Sequence, residues 1–278
     1  PNENGMLHWV DKNEIQLDEP EVIQKVKTAK ETYDELLDKV YAAYAKGETV
    51  DAYRMYNAAQ SDNALGLSHD EYFKQLVDID RNRTNDDGIS ASQLRMHLAG
   101  VDMKYGNDAE ARKKYDESFY HFLRGTDEKP TERIYINATA DFAPEVMRHI
   151  VNEIVDNPEQ FPGIYAGKIA GSRGVSDRAE NIVIYTTDTE ATNRALAQLE
   201  NIRGRLPKEA FKDSTPYMTE QSGPGIALAA EPTPAMQRKA KSEMGGGQRS
   251  FGSPRAELIE RALSEAGGQG KDAFTARV

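Results

Sequence analysis

The second half of this chain holds four short β-type runs with cationic or acidic residues at or near their ends, followed by a Gly-rich basic loop. The runs are Arg133-Ile-Tyr-Ile-Asn137, Gly163-Ile-Tyr-Ala-Gly-Lys168-Ile, Arg178-Ala-Glu180-Asn-Ile-Val-Ile-Tyr185 and Gly225-Ile-Ala-Leu-Ala-Ala-Glu231. The loop ends in Ser250-Phe-Gly-Ser-Pro-Arg255. A guanidinium fork matches the oxygens of a phosphate two at a time, and a lysine adds a compact charge on a flexible stem. Gathered over one sheet, these cations would make a binding site for an anionic group, and a phosphate suits it best.

Alternation in the first run places Ile134, Ile136 and Ala138 opposite Arg133, Tyr135 and Asn137, which is strand periodicity. Further strands are predicted at 163–170, 180–187 and around 226–230. Helices are predicted over 144–156, where Pro144 suits a first turn, over 188–203 and over 254–266. The first half reads differently. From Pro20, the positions Val22, Val26, Ala29, Tyr33, Leu36, Val40 and Tyr44 fall on one helical face, with Gly47 as a stop. Shorter helical patterns follow at 51–60, 69–80 and across 90–124, with Ser68 and Ser90 as N-caps. The whole is an α+β protein: a mostly helical region 1–130, then an α+β region 131–278 with a small mixed or antiparallel sheet flanked by helices.

With 278 residues and 38% hydrophobic content the chain can bury a core without staples. Its formal charge of −11 disfavours nucleic acid and anionic membrane as partners, so an anion site has to be local. Residues 1–130 hold 17 basic and 26 acidic side chains, whereas 131–278 hold 18 and 20, so the second half is where a phosphate could approach. The absence of cysteine removes disulfides, thiolate nucleophiles and thiolate metal ligands. No apolar run is long enough to cross a membrane as a helix, and no hydrophobic secretion signal is visible.

In order, Arg133-Ile-Tyr-Ile-Asn, Gly167-Lys168-Ile, Arg178-x-Glu180-x-x-Val-x-Tyr185, Ser214-Thr-Pro216, Gly225-Ile-Ala-x-Ala-x-Glu231 and Ser250-Phe-Gly-x-x-Arg255 resemble the C-terminal domain of the HopA family of type III secreted effectors. They are similar as well to the HopA-like proteins encoded beside a kinase-like partner in lanthipeptide pathways. The likeness covers roughly 131–265; residues 1–130 share helical character more than letters. For the pathway relatives it implies a phosphothreonine or phosphoserine lyase, a carbon–oxygen lyase that eliminates phosphate left by the kinase. For the effectors it implies virulence through host proteins after type III secretion. The place of work is then the bacterial cytoplasm in the first case and the host cell in the second, and the residues leave both open. A non-catalytic adaptor that binds a host or partner protein is the alternative to the enzyme.

β-Elimination of phosphate requires a base at the Cα proton, positive charge against the developing enolate oxygen and cationic donors on the leaving group, with no metal and no cofactor. In that scheme Lys168 is the expected base and Tyr185 a donor to a leaving oxygen. Arg133, Arg178, Arg249 and Arg255 are the phosphate ligands, and Glu180 and Glu231 orient the cations. The bland alternatives are a Lys168 that points to water or bridges Glu180, and a Tyr185 that closes a core run. The histidines at 8, 69, 97, 121 and 149 share no ligand spacing, and the general acid stays unassigned. A calcium loop beginning at Asp78 fails, because Arg83 and Ile89 stand where Gly and Glu are required. Gly163-x-x-x-Gly167-Lys168-Ile is a residue short of a P-loop and lacks its Ser or Thr.

Overall fold

The computed structural model describes residues 27–59, 63–79, 91–100, 109–123, 129–231 and 252–278. The first helix, α1 (Ala29–Ala45), starts later than the apolar spacing suggests. Thr28 is extended and forms a capping box with Glu31, which ends any helical path from the N-terminal side. Val22 and Val26 lie outside the described residues, as does Ser90. Gly47, at a φ of 76°, follows the helix as the expected stop. α2 (Ala52–Asn57) is capped by Asp51, and Ser68 and Glu71 exchange hydrogen bonds at the start of α3 (His69–Ile79).

Across 90–124, where helical patterns are expected, the described residues form two helices and a strand: α4 (Ala91–Leu98), α5 (Ala109–Glu117) and β1 (Phe119–Leu123). Phe119-Tyr-His-Phe-Leu123 is dense in aromatic residues, which fit a pleated, half-buried surface better than a helix. There follow β2 (Glu132–Ile136), α6 (Ala143–Ile150), β3 (Ile164–Ala170), the short α7 (Gly174–Asp177), β4 (Ile182–Thr186), α8 (Thr189–Arg205), β5 (Glu220–Gly223), β6 (Ile226–Ala230), α9 (Gly252–Ala266) and α10 (Lys271–Thr275). Pro144 sits in the first turn of α6, whose last turn widens to a π-helical segment, Val151–Val155. Neither β5 nor α10 has a periodic signal of its own in the sequence.

The six strands form one antiparallel sheet in the order β1-β3-β4-β2-β6-β5. Period-two alternation gives the sheet two working faces. Ile134, Ile136, Ile182 and Ile184 enter a core shared with α3, α4, α6 and α8. Tyr135, Val183 and Ala229 enter a second core with Leu36, Leu37 and Val40 of α1, Tyr56 of α2 and Ile259 and Leu263 of α9. The fold is thus α+β with helices over both faces, and edge strand β1 comes from the region preceding residue 131.

Polar clamps fix the ends of the central strands. The fully buried Asn181 accepts from the Ala138 N–H at 2.9 Å and donates to the carbonyls of Ala138 and Val175, and Asn137 donates to the Ser214 carbonyl at 2.8 Å. Gly225 opens β6 at a φ of 67°, and a Cβ there would lie 2.4 Å from the Lys212 carbonyl oxygen. Gly225→Ala should therefore cost about 2–4 kcal/mol from the left-handed backbone and the overlap combined. Urea denaturation measures it, and a loss near zero would show that the turn rearranges freely.

Candidate functional site

Strand pairing brings the cationic runs together. Arg133 on β2 stands opposite Tyr185 on β4 and Ala229 on β6. Lys168 on β3 stands opposite Val183 on β4 and His121 on β1. With side chains alternating along each strand, Arg133, Tyr185, Lys168, His121 and Phe119 share the sheet face that carries Tyr135 and Val183. Arg178 reaches the same face from the extended segment between α7 and β4. Ala58 forms an isolated β-bridge with it, the Ala59 N–H donates to the Asp177 carbonyl at 2.9 Å and the Ala179 N–H to the Asn57 carbonyl at 2.8 Å.

Two aromatic rings connect the cations. The Arg133 guanidinium carbon lies 4.9 Å from the Tyr185 ring centre and Lys168 Nζ 5.4 Å from it. Lys168 Nζ is 4.0 Å from the Phe119 ring centre, and the Arg178 guanidinium carbon 5.2 Å from the same ring. Ring faces attract cations, so this ladder holds three positive groups in a row without neutralising them. Lys168 stands in mid-strand, half-buried, and the Glu180 carboxylate pairs with Arg178 rather than with it.

Two carboxylates order the ends of the row. Glu231 takes both Nε and Nη2 of Arg133, the latter at 2.8 Å, and the Arg133 residue is 8% exposed. Glu180 accepts from Arg178 Nη2 and from the Tyr56 hydroxyl at 3.0 Å, while Tyr53 accepts from Arg178 Nη2 at 3.4 Å. Burial alone would lower the pKa of Arg133 and of Arg178. Tyr135, Tyr185 and Glu231 around the first, and Glu180 and Tyr53 around the second, more than offset it, so both are raised. Around Arg255 of α9 the balance runs the other way: burial and the neighbouring Arg133 hold its pKa down against Tyr135, Tyr56 and Glu231. Arg178 Nε is buried and has no hydrogen-bond partner among the described residues, a donor that an anionic oxygen would satisfy.

Arg255 also lines a cavity of about 490 Å³ with Lys30, Tyr33, Met218 and Leu258. Tyr56, beneath the row, has its hydroxyl pKa pushed well above the ordinary value by burial, then by Glu180 and Tyr135. Its ring abuts Gly252, where a Cβ would come within 2.4 Å of Cε1. The start of α9, which bears Arg255, can pack here only with no side chain at that position.

His121 sits beside Lys168 with its pKa lowered from 6.5 to about 4, by burial first and the Lys168 charge second. The folded ring resists the proton that the unfolded ring accepts. Stability is accordingly undiminished above the unfolded value and is lost as pH falls toward about 4, by up to about 3 kcal/mol. Urea titrations across this window should show that slope, and His121→Asn should flatten it; an equal slope in both proteins would reject the attribution to His121.

Of the residues expected at a site, Arg133, Lys168, Arg178, Tyr185, Glu180, Glu231 and Arg255 are brought into one neighbourhood. Arg249 lies outside the described residues, as do Arg238, Lys239 and Lys241. Glu180 pairs with Arg178 and Glu231 with Arg133. His149 is held by Glu153 at 2.7 Å on α6, away from this sheet face. Phe119, His121, Tyr53 and Tyr56 complete the neighbourhood and carry no motif; a reading of 119–123 as a strand would have placed the first two. Among the described residues no cluster of side chains suits a metal ion, and no helix is long and apolar enough to cross a membrane.

Comparison with solved structures shows the same architecture in two bacterial effectors. The effector protein from Pseudomonas syringae pv. syringae strain 61 superposes with a TM-score of 0.61 at 16% identity, over 90% of this chain and 93% of the other. The effector protein from Pseudomonas syringae pv. tomato strain DC3000 gives a TM-score of 0.58 at 20% identity, over 90% of each chain. Comparison with curated proteins gives no match. The pattern of the HopA1 effector protein family extends over residues 111–278, from α5 through β1, every cation of the row and both carboxylates to the C-terminal helices. On that match the chain belongs to the HopA1 effector protein family.

Proposed function

We propose that this protein is a cofactor-independent lyase that eliminates phosphate from phosphothreonine or phosphoserine in a peptide or protein. The observation that carries the reading is the meeting of Arg133, Lys168 and Arg178, remote in sequence, around the Tyr185 and Phe119 rings, with Arg255 near Arg133. Glu180 and Glu231 pair with Arg178 and Arg133, while Lys168 is held by the two rings. In this reading Arg133, Arg178 and Arg255 are the phosphate ligands, and Arg249, the fourth expected, lies outside the described residues. Lys168 and Tyr185 stand at the reacting carbon, and the cavity beside Arg255 accepts the flanking peptide. Neutralising the leaving group and the developing enolate is the main work of such a site, worth several kcal/mol in the transition state. A kinase supplies the substrate, in the bacterial cytoplasm for a peptide pathway or in a host cell after type III secretion for an effector.

A second reading has its own support. Arg133 and Arg178 already hold carboxylates, as they would in a protein that uses this face as a framework and binds a host or partner protein without chemistry. Thiol trapping separates the two. With a phosphothreonine peptide and an added thiol, the lyase releases inorganic phosphate in step with a covalent thiol adduct at the new double bond. Phosphate release without adduct would identify a phosphatase, and neither product would favour the adaptor.

A further inference from the structure

The cation–ring contacts place Lys168 as a positive group, which leaves the proton acceptor of an elimination to be found next to it. β1 is one of the two outer strands of the sheet and among the described residues pairs with β3, so the partner facing Lys168 across that pairing is His121. The two residues are register partners, and Lys168 Nζ leans toward β1, over Phe119 two positions before His121. Both residues are half-buried on the face where Tyr185 and Arg178 lie. No other histidine of the described residues stands on this face: His69 is bound to Asp116 and His97, and His149 to Glu153.

We infer that His121 takes the Cα proton and that Lys168 is the acid, the two acting as a pair across β1 and β3; this rests on the lyase reading above. The Cα–H bond breaks with its proton passing to the imidazole, and its electron pair forms the Cα–Cβ double bond. The Cβ–O bond breaks with its pair leaving on phosphate. The Lys168 ammonium protonates the departing oxygen, so the dianionic ester leaves as hydrogen phosphate. The imidazolium then returns its proton to the neighbouring amine, restoring both groups with nothing consumed. At rest the ring is neutral because burial and the Lys168 charge oppose its protonation. An incoming phosphate dianion offsets that second influence, so the imidazole becomes a better base when the substrate arrives.

The test is steady-state turnover of a phosphothreonine peptide by the whole chain and its His121→Ala, His121→Asn and Lys168→Ala variants, with and without free imidazole. Loss of a general base typically lowers rate by about 10²–10⁴-fold. The inference expects that fall in kcat for both His121 variants, KM within about threefold of the parent as for a group that acts only in the transition state, and partial rescue by imidazole of His121→Ala but not of Lys168→Ala. Parental kcat in the His121 variants overturns the pair and leaves the lyase reading standing. A fall that imidazole cannot relieve, with peptide binding lost in parallel, also overturns it, since His121 would then only support the fold. If the parent chain eliminates nothing, both readings fall together.

Discussion

Glu180→Ala is expected to destabilise the protein by about 3–5 kcal/mol, the cost of breaking a buried ion pair from one side. Glu180 is 5% exposed and accepts from the Arg178 guanidinium and from the hydroxyl of Tyr56, itself 1% exposed. Its removal leaves the largely buried Arg178 guanidinium without its carboxylate and takes one acceptor from the Tyr56 hydroxyl. Glu180→Gln retains an acceptor for Tyr56 and should cost less. The double replacement Arg178→Met with Glu180→Leu should recover the part of the loss that comes from the unpaired charge, because packed apolar side chains of similar volume often equal a buried ion pair. Denaturant midpoints across the three variants measure this. Equal losses in the single and double variants would show that packing, not charge, holds the position. The recovered double variant also separates the functional readings, since a folded protein without Arg178 should no longer eliminate phosphate.

Lys168→Met should lower the rate of elimination by about 10²–10⁴-fold while leaving the fold intact. The side chain is half-buried and forms ring contacts, not an ion pair with Glu180, so methionine can occupy the space over Phe119 and Tyr185 without stranding a charge. Single-turnover assays on a phosphothreonine peptide, with melting curves as the control, supply the measurement. Full activity in a folded Lys168→Met protein would remove Lys168 from the chemistry.

The central strands were legible because each carries its own alternation. Arg133-Ile-Tyr-Ile and Asn181-Ile-Val-Ile-Tyr185 declare which residues enter the core and which oppose them. The pairing of Arg178 with Glu180 could be expected too, since residues two apart on an extended segment share a face. Arg133 and Glu231 are 98 positions apart, and only the pairing of β2 with β6 brings them together. No local pattern encodes that.

β1 shows the limit most clearly. Phe119-Tyr-His-Phe-Leu123 is a short, nearly continuous apolar run, and period alone does not tell a buried strand from the end of a helix. Once the run is taken as helix, His121 has no relation to Lys168 and passes as one more isolated histidine. As a strand it faces Lys168 in register. α1 illustrates the opposite error. Its apolar spacing runs on past the residue where the capping box of Thr28 and Glu31 sets the start, so the cap and not the period decides where the helix begins.

The intact mass of a phosphothreonine peptide after incubation with the protein, without metal, nucleotide or other cofactor, is the most direct measurement. The cationic row predicts loss of the elements of phosphoric acid, leaving a dehydroamino acid. A peptide that keeps its phosphate, or that loses only HPO₃ and regains its hydroxyl, would contradict it.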